Sequence, residues 1–190
     1  MNASRPTPVS TVDLEVARTR AARMFEQLPE SIHELGHLFA RAGHDLALVG
    51  GPVRDAVLGR SSDDLDFTTS ARPDETDALL REWVGRGGAI WDMGREFGTL
   101  GAQKDGAKVE ITTYRTEEYD LESRKPTVAF GDTIEGDLSR RDFTVNAMAV
   151  RLPSLQFVDP FNGLADLASG VLRTPVTAEP AEPKPPPREC

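Results

Sequence analysis

Cysteine is almost absent from this 190-residue chain. Its single copy, Cys190, has no partner, so no disulfide can close within the chain and a small disulfide-stapled fold is excluded. A reducing, cytoplasmic setting is the default expectation. No run of about 18 apolar residues occurs, so no transmembrane helix is expected. The opening segment Met1–Val9 is polar and carries Pro6 and Pro8, without the apolar stretch of a signal peptide. Basic charge is also in deficit: 22 Lys and Arg face 31 Asp and Glu, for a net charge of −9. That is the wrong sign for a protein gripping nucleic acid with its whole surface. Thr116 to Leu138 alone holds seven acidic and two basic residues. Any RNA contact is therefore expected to be local, or to belong to parts outside this sequence. Two nucleotide signatures are missing as well: no Gly-Lys-Ser/Thr loop of the Walker type and no Gly-x-Gly-x-x-Gly of a dinucleotide fold.

What is present suits one globular domain with flanking segments, at 38% hydrophobic and 28% charged residues. Residues 1–10 read as disordered. Leu14, Ala17, Ala21, Met24, Phe25 and Leu28 recur at helical spacing, and Pro29 then opens a second helix carrying Ile32, Leu35, Leu38 and Phe39, which Gly43 ends. Leu46–Val49 is a short apolar strand running into Gly50-Gly51 and a helix over Pro52–Leu58. Asp64–Thr69 alternates polar and apolar as a half-buried strand does. A helix is expected over Asp74–Arg86, strands at Thr99–Gln103, Lys108–Arg115 and Gln156–Val158, and a helix from Asp142 through Val150. Five of the fifteen residues from Val176 to Cys190 are proline, which reads as a disordered tail. The expected class is α/β (α+β): N-terminal helices over 11–43, then a small mixed sheet with flanking helices over 44–175.

Four clusters carry chemistry. In Leu48-Val-Gly-Gly-Pro-Val-Arg-Asp55 a strand enters two glycines and a helix with proline at its start. Gly50 and Gly51 expose backbone N–H groups to a phosphate, with Arg54 one turn on and Asp55 beside it. The same residues also fit a tight turn with a surface ion pair. In Asp63-Asp-Leu-Asp-Phe67, Asp64 and Asp66 share one strand face while Leu65 and Phe67 turn to the core. Two carboxylates about 7 Å apart along a strand can hold a pair of Mg²⁺ ions about 4 Å apart, as phosphoryl transfer requires. A solvated polar face is the plain alternative, and the nearby Gly-Gly unit favours the metal. In Lys108-Val-Glu-Ile-Thr-Thr-Tyr-Arg115, Glu110 lies on the polar face, as a third metal ligand, a base, or simply an exposed glutamate. In Arg140-Arg-Asp-Phe-Thr-Val-Asn-Ala147, Asp142 can cap a helix and Asn146 shares its face, with Arg141 at the entrance suited to phosphate or to surface charge.

Taken in order, LVGGPVRDAVLGR, DLDFTT, VEITTYR, RRDFTVNAMAV and VDPFNGLADLASGVLRTP resemble the head domain of class II CCA-adding enzymes and bacterial poly(A) polymerases, over roughly residues 46–175. The resemblance implies a small α/β nucleotidyltransferase domain. It implies that Asp64 and Asp66 bind Mg²⁺, with Glu110 as a further catalytic carboxylate. Gly50, Gly51, Arg54, Asp55 and Arg141 would hold the nucleotide, and Asp142 and Asn146 its sugar end. The implied reaction is attack of a tRNA 3′ hydroxyl on the α-phosphate of CTP or ATP. In that family a helical neck that reads the base, and body and tail domains that bind tRNA, follow the head. VTAEPAEPKPPPREC does not resemble that neck, so impaired activity and weak tRNA binding are expected of this chain.

One motif points elsewhere. His33-Glu-Leu-Gly-His37 matches the HExxH zinc-protease signature, and His44 follows. The longer zincin pattern needs a histidine at position 43, where Gly43 stands. One residue on a helix is about 100° of rotation, which aims His44 away. Leu35, Leu38, Phe39 and Ala42 already account for the segment as a core-packing helix. A non-catalytic nucleotide-binding remnant is a further alternative.

Overall fold

The computed structural model describes residues 11–62, 64–94, 97–117 and 128–175. The expected disordered segments at 1–10 and 176–190, together with Asp63, lie outside the described residues. Helix α1 (Thr11–Glu26) and helix α2 (Glu30–Arg41) meet at Pro29, which supplies the N-cap of α2. Strand β1 (Leu46–Val49), helix α3 (Gly51–Val57), strand β2 (Leu65–Thr69) and helix α4 (Pro73–Val84) follow. Then come β3 (Ala89–Asp92), β4 (Thr99–Lys104), β5 (Ala107–Thr113), β6 (Arg115–Glu117) and β7 (Val128–Phe130). The chain continues through α5 (Ile134–Ser139), a 3-10 turn (Thr144–Asn146), β8 (Ala149–Leu152), β9 (Gln156–Val158) and α6 (Gly163–Ser169). No described helix is long and apolar enough to cross a membrane.

The sheet is mixed, as expected. Its seven strands run in the order β3-β4-β5-β2-β1-β8-β9, and β6 and β7 form a separate antiparallel pair. Strands β2 and β5 pair in parallel, while the other neighbours in the large sheet are antiparallel. Period-two alternation sorts the side chains to two faces. Leu46, Leu48, Phe67, Val109, Ile111, Leu100 and Val150 point to one side, where Ile32, Leu35 and Phe39 of α2 and Leu80 and Trp83 of α4 cover them. The Trp83 indole N–H donates to the Ser31 carbonyl at 2.7 Å and ties these two helices together. On the opposite face Ala47, Val49 and Ala149 pack with Tyr114 and with Ile134 and Leu138 of α5. That second layer is smaller, and it leaves part of the sheet open beside α5. The site forms in this gap.

The expected helix over Asp142–Val150 is not there. Residues 144–146 make a single 3-10 turn, and the chain then becomes β8, which pairs with β1 and β9. The apolar run Ala147-Met-Ala-Val150 leads into and begins this interior strand and is buried on both faces, with Ala147 and Ala149 toward α5 and Met148 and Val150 toward α2. Such a strand has no polar face, so its sequence reads as a buried helix just as well. The expected helix at 74–86 ends two residues sooner, because Gly85 adopts φ +56°. Strands β3, β6 and β7 and helices α5 and α6 were not anticipated.

Candidate active site

Strand β2 carries Asp66 and Thr68 toward the open side, and Phe67 toward the core. Asp64 sits just before the strand, where the Ser62 hydroxyl donates to its carbonyl at 3.1 Å. In the parallel pairing, Asp66 faces Glu110 of β5 directly across the ladder. Paired residues in a ladder project from the same face, so two carboxylates stand side by side. The effect on Asp66 is a raised pKa. Partial burial is the largest cause, and Glu110 and Asp64 add to it, while Arg141 and Lys108 oppose it. Lys108 also pairs with Glu110 at 3.3 Å.

Above this acidic ledge is the Gly50-Gly51 turn. Gly50 has φ 73° and ψ −129°, a conformation that only glycine adopts without strain. Its N–H donates to the Met148 carbonyl at 3.3 Å, which fixes the turn to the start of β8. Two guanidinium groups flank the turn. A Cβ built on Gly50 would lie 3.0 Å from Arg141 Nη1, and one on Gly51 would lie 3.8 Å from Arg54 Nη2. Arg54 is held on both sides: Nε and Nη2 each lie 3.0 Å from Asp55 Oδ1, and Nη1 donates to Asn146 Oδ1 at 2.9 Å. The Asn146 amide then donates from Nδ2 to Asp142 Oδ1 at 3.1 Å, and that oxygen also accepts from the Phe143 N–H. Asp55, Arg54, Asn146 and Asp142 thus form one continuous hydrogen-bonded row.

The 142–146 segment is anchored from behind. The Thr144 hydroxyl donates to buried Asp166 of α6 at 2.7 Å, and the Thr144 N–H to the Arg173 carbonyl at 2.8 Å. Arg173 in turn pairs with Asp166 at 3.3 Å. Asp159 accepts from the Gly163 and Leu164 N–H groups, which starts α6, and burial raises its pKa.

Of the residues marked for nucleotide chemistry, Gly50, Gly51, Arg54, Asp55, Arg141, Asp142 and Asn146 gather about the turn, and Asp66 and Glu110 stand in register on β2 and β5, where Arg141 opposes the rise in the Asp66 pKa. Asn146 ends a 3-10 turn and Asp142 precedes it, with no helix there. Three participants were not marked: Thr68, Asp137 and Arg115. The Asp137 carboxylate is buried and accepts from the Thr68 hydroxyl, the Arg115 N–H and Arg141. Arg115 lies near Arg140 and Arg141, and its pKa is lowered, chiefly by burial and then by Arg140. Two signals were available. Thr68 continues the Asp64, Asp66 alternation, and Asp137 precedes Arg141 by four residues.

The HExxH segment lies on the far side, with Ile32, Leu35 and Phe39 in the core. Glu34 is paired with Lys104 at 2.6 Å, and His44 Nε2 lies 3.9 Å from Glu75.

The family described as the poly(A) polymerase head domain matches residues 46–173, which include the whole cleft. The chain belongs to this family. A CCA-adding enzyme of Streptococcus thermophilus (strain CNRZ 1066) is 42% identical over 139 residues, 73% of this chain and 33% of that protein. One from Streptococcus pyogenes serotype M2 (strain MGAS10270) is 43% identical over the same shares. Among solved structures, the Bacillus stearothermophilus CCA-adding enzyme in complex with CTP superposes with a TM-score of 0.64 at 32% identity, over 76% of this chain and 33% of that one. A tRNA nucleotidyltransferase complexed with a primer tRNA and an incoming ATP analog gives 0.59 at 31% identity, over 74% and 38%. The chain thus spans about a third of the length of these head-domain relatives. The mixed sheet with flanking helices is the fold of that family's head.

Proposed function

We propose that this chain is the nucleotidyl-transfer module of a CCA-adding enzyme, joining CTP or ATP to the 3′ hydroxyl of tRNA and releasing pyrophosphate. The observation that carries this is one juxtaposition. Two carboxylates, Asp66 and Glu110, stand in register on parallel strands, and Arg141, which lies against the Gly-Gly turn that Arg54 also flanks, is close enough to Asp66 to oppose the rise in its pKa. The turn and the two guanidinium groups would hold the triphosphate, since arginine matches phosphate oxygens with paired N–H donors. Asp55 keeps Arg54 aimed, and the Asn146–Asp142 pair presents polar atoms to the ribose. The relatives named for CTP and for a primer tRNA with an ATP analog support this choice of substrates.

The donor set also fits a divalent metal. Among the described residues no three His, Cys, Asp or Glu side chains are gathered to hold an ion by themselves. Mg²⁺ does not need that, because it binds through one or two carboxylates together with water and substrate phosphates. Asp64 and Asp66 would hold it, with Glu110 adjoining. Once bound, Mg²⁺ supplies activation of the attacking hydroxyl and neutralisation of charge on the α-phosphate. Partial burial, and then the neighbouring Glu110 and Asp64 carboxylates, raise the Asp66 pKa, and a bound cation would relieve that environment. With a net charge of −9, RNA contact by this chain would be local, and Arg115, Arg140 and Arg141 gather where it could occur. A cytoplasmic location is the setting that this reading supports.

Calorimetric titration with Mg·ATP and Mg·CTP tests the site. The parent chain should bind both, and Asp64→Ala with Asp66→Ala should abolish Mg²⁺-dependent binding without unfolding the protein. Unchanged affinity in the double variant would refute the assignment. The family's description by poly(A) polymerase supplies the second reading. Sequencing the 3′ ends of extended tRNA decides between them, as CCA or a run of A.

A further inference from the structure

Asp137 takes no part in the roles assigned above, yet it is a carboxylate only 6% exposed, on the short helix α5. A buried carboxylate costs several kcal/mol unless hydrogen bonds and cations surround it. Its partners here are all elements of the cleft. Oδ2 accepts from the Thr68 hydroxyl at 3.1 Å and lies 3.5 Å from Arg141 Nη2, and Oδ1 accepts from the Arg115 N–H at 3.1 Å. Thr68 stands two residues beyond Asp66 on the same strand face, so one carboxylate links the acidic strand to the arginine beside the Gly-Gly turn.

Arg141 needs such a partner. Its Nε is buried and has no hydrogen-bond acceptor, and its Nη1 lies against Gly50. Asp137 Oδ2 is the one carboxylate that its guanidinium reaches among the described residues. A long side chain with three donor nitrogens and a single anchor owes its direction to that anchor. Both Arg54 and Arg141 flank the turn, but Arg54 is fixed by Asp55 and Asn146 and owes nothing to α5.

We infer that Asp137 is a positioning residue for nucleotide binding: it orients the Arg141 guanidinium toward the triphosphate and, through the Thr68 hydroxyl, sets that guanidinium's height above the Asp66 carboxylate. The inference rests on Arg141 being a phosphate ligand, as proposed above. Asp137 also accepts from the Thr68 hydroxyl and the Arg115 N–H, so its positioning effect is the part of the loss that disappears once Arg141 is removed.

A double-mutant cycle on the full 190-residue chain tests this, with Mg·ATP and inorganic tripolyphosphate as probes in calorimetry. Asp137→Asn keeps the shape of the side chain. It should weaken binding of both probes about tenfold when Arg141 is present, and less than twofold in the Arg141→Ala background. Thr68→Val, which preserves volume and removes a hydroxyl shared between Asp137 Oδ2 and the Thr112 carbonyl at 3.2 Å, should weaken binding about threefold when Arg141 is present and less than twofold without it, and it carries the test should Asp137→Asn fail to fold. Equal losses in both backgrounds would show that Asp137 serves the fold and not Arg141, and would overturn the inference. So would full affinity in both Asp137→Asn and Thr68→Val. If Arg141→Ala alone binds as the parent does, the phosphate role of Arg141 falls as well. If Arg141→Ala is weak while Asp137→Asn and Thr68→Val are normal, only the positioning role falls.

Discussion

Gly50 and Gly51 are neighbours with opposite constraints, and substituting alanine at each separates backbone strain from phosphate access. At Gly50 the backbone is at φ 73° and ψ −129°, and an added Cβ would stand 3.0 Å from Arg141 Nη1 and 4.0 Å from the Asn146 carbonyl. Holding alanine there costs about 1–3 kcal/mol. For a domain of this size each kcal/mol is worth about 2–4 °C in Tm, so Gly50→Ala should melt about 2–12 °C lower. Gly51 is the first residue of α3 and is not among the positive-φ glycines, and its Cβ would meet only Arg54 Nη2 at an ordinary 3.8 Å. Alanine there is sterically compatible and reduces unfolded-chain entropy, so Gly51→Ala should hold its Tm or gain up to about 1 kcal/mol. Both methyl groups nevertheless stand where a phosphate would approach the turn, so both variants should bind Mg·ATP at least about tenfold more weakly, a loss of about 1.4 kcal/mol. Differential scanning fluorimetry and calorimetric titration measure the two effects independently. Equal destabilisation at both positions would refute the backbone argument. Parental affinity in Gly51→Ala would show that the turn is not the phosphate wall.

Asp66 gives a pH-dependent test. Its folded pKa is raised above 3.8, so the fold binds the proton more tightly than the unfolded chain, and stability drops as pH rises from 3.8 through the folded value. In metal-free buffer Asp66→Asn should therefore melt above the parent at pH 7, with the gain shrinking as pH falls toward 3.8; a constant or inverted difference would contradict the crowding of Asp64, Asp66 and Glu110. Under the proposed assignment the site residues would contact only what all nucleotides share, so Kd values for CTP, ATP, UTP and GTP with Mg²⁺ should lie within about tenfold of one another, and strong discrimination against UTP would place base recognition inside the head. Gly163→Ala would put a Cβ 2.1 Å from the Thr144 carbonyl oxygen, so denaturant unfolding should show a loss of at least about 1–3 kcal/mol as α6 is pushed from the 3-10 turn.

The parts of the site that could be read in advance are those where one period dominates. Asp64 to Thr69 has a polar face and an apolar face, so both the strand and the direction of Asp66 follow from two-residue alternation. Gly50-Gly51-Pro52 is legible because its residue types allow few backbone conformations. Legibility failed where burial on both faces erased the period, as in Ala147–Val150, which reads as helix and instead leads into β8 at Ala149. It failed also for α5 and α6, which have six and seven residues and contain Gly136 and Gly163, too short for a periodic stripe. Asp137 was passed over for that reason: its meaning depends on Thr68, 69 residues away, and no local pattern reports that contact.

The row from Arg54 to Asn146 joins residues 92 positions apart, and the Asp66–Glu110 pairing is parallel, with α4, β3 and β4 between its two strands. Contacts this distant form only after the intervening chain has been ordered, because the entropy of closing each loop is spent before the contact rewards it. The hairpins β3-β4 and β4-β5 are local and can assemble early, yet neither of them brings Asp66 to Glu110 or Arg54 to Asn146. A half-folded chain is thus blind to nucleotide. Ligand added during refolding should leave the early phases untouched and act only on the last, by stabilising the finished state in proportion to RT ln(1 + [L]/Kd).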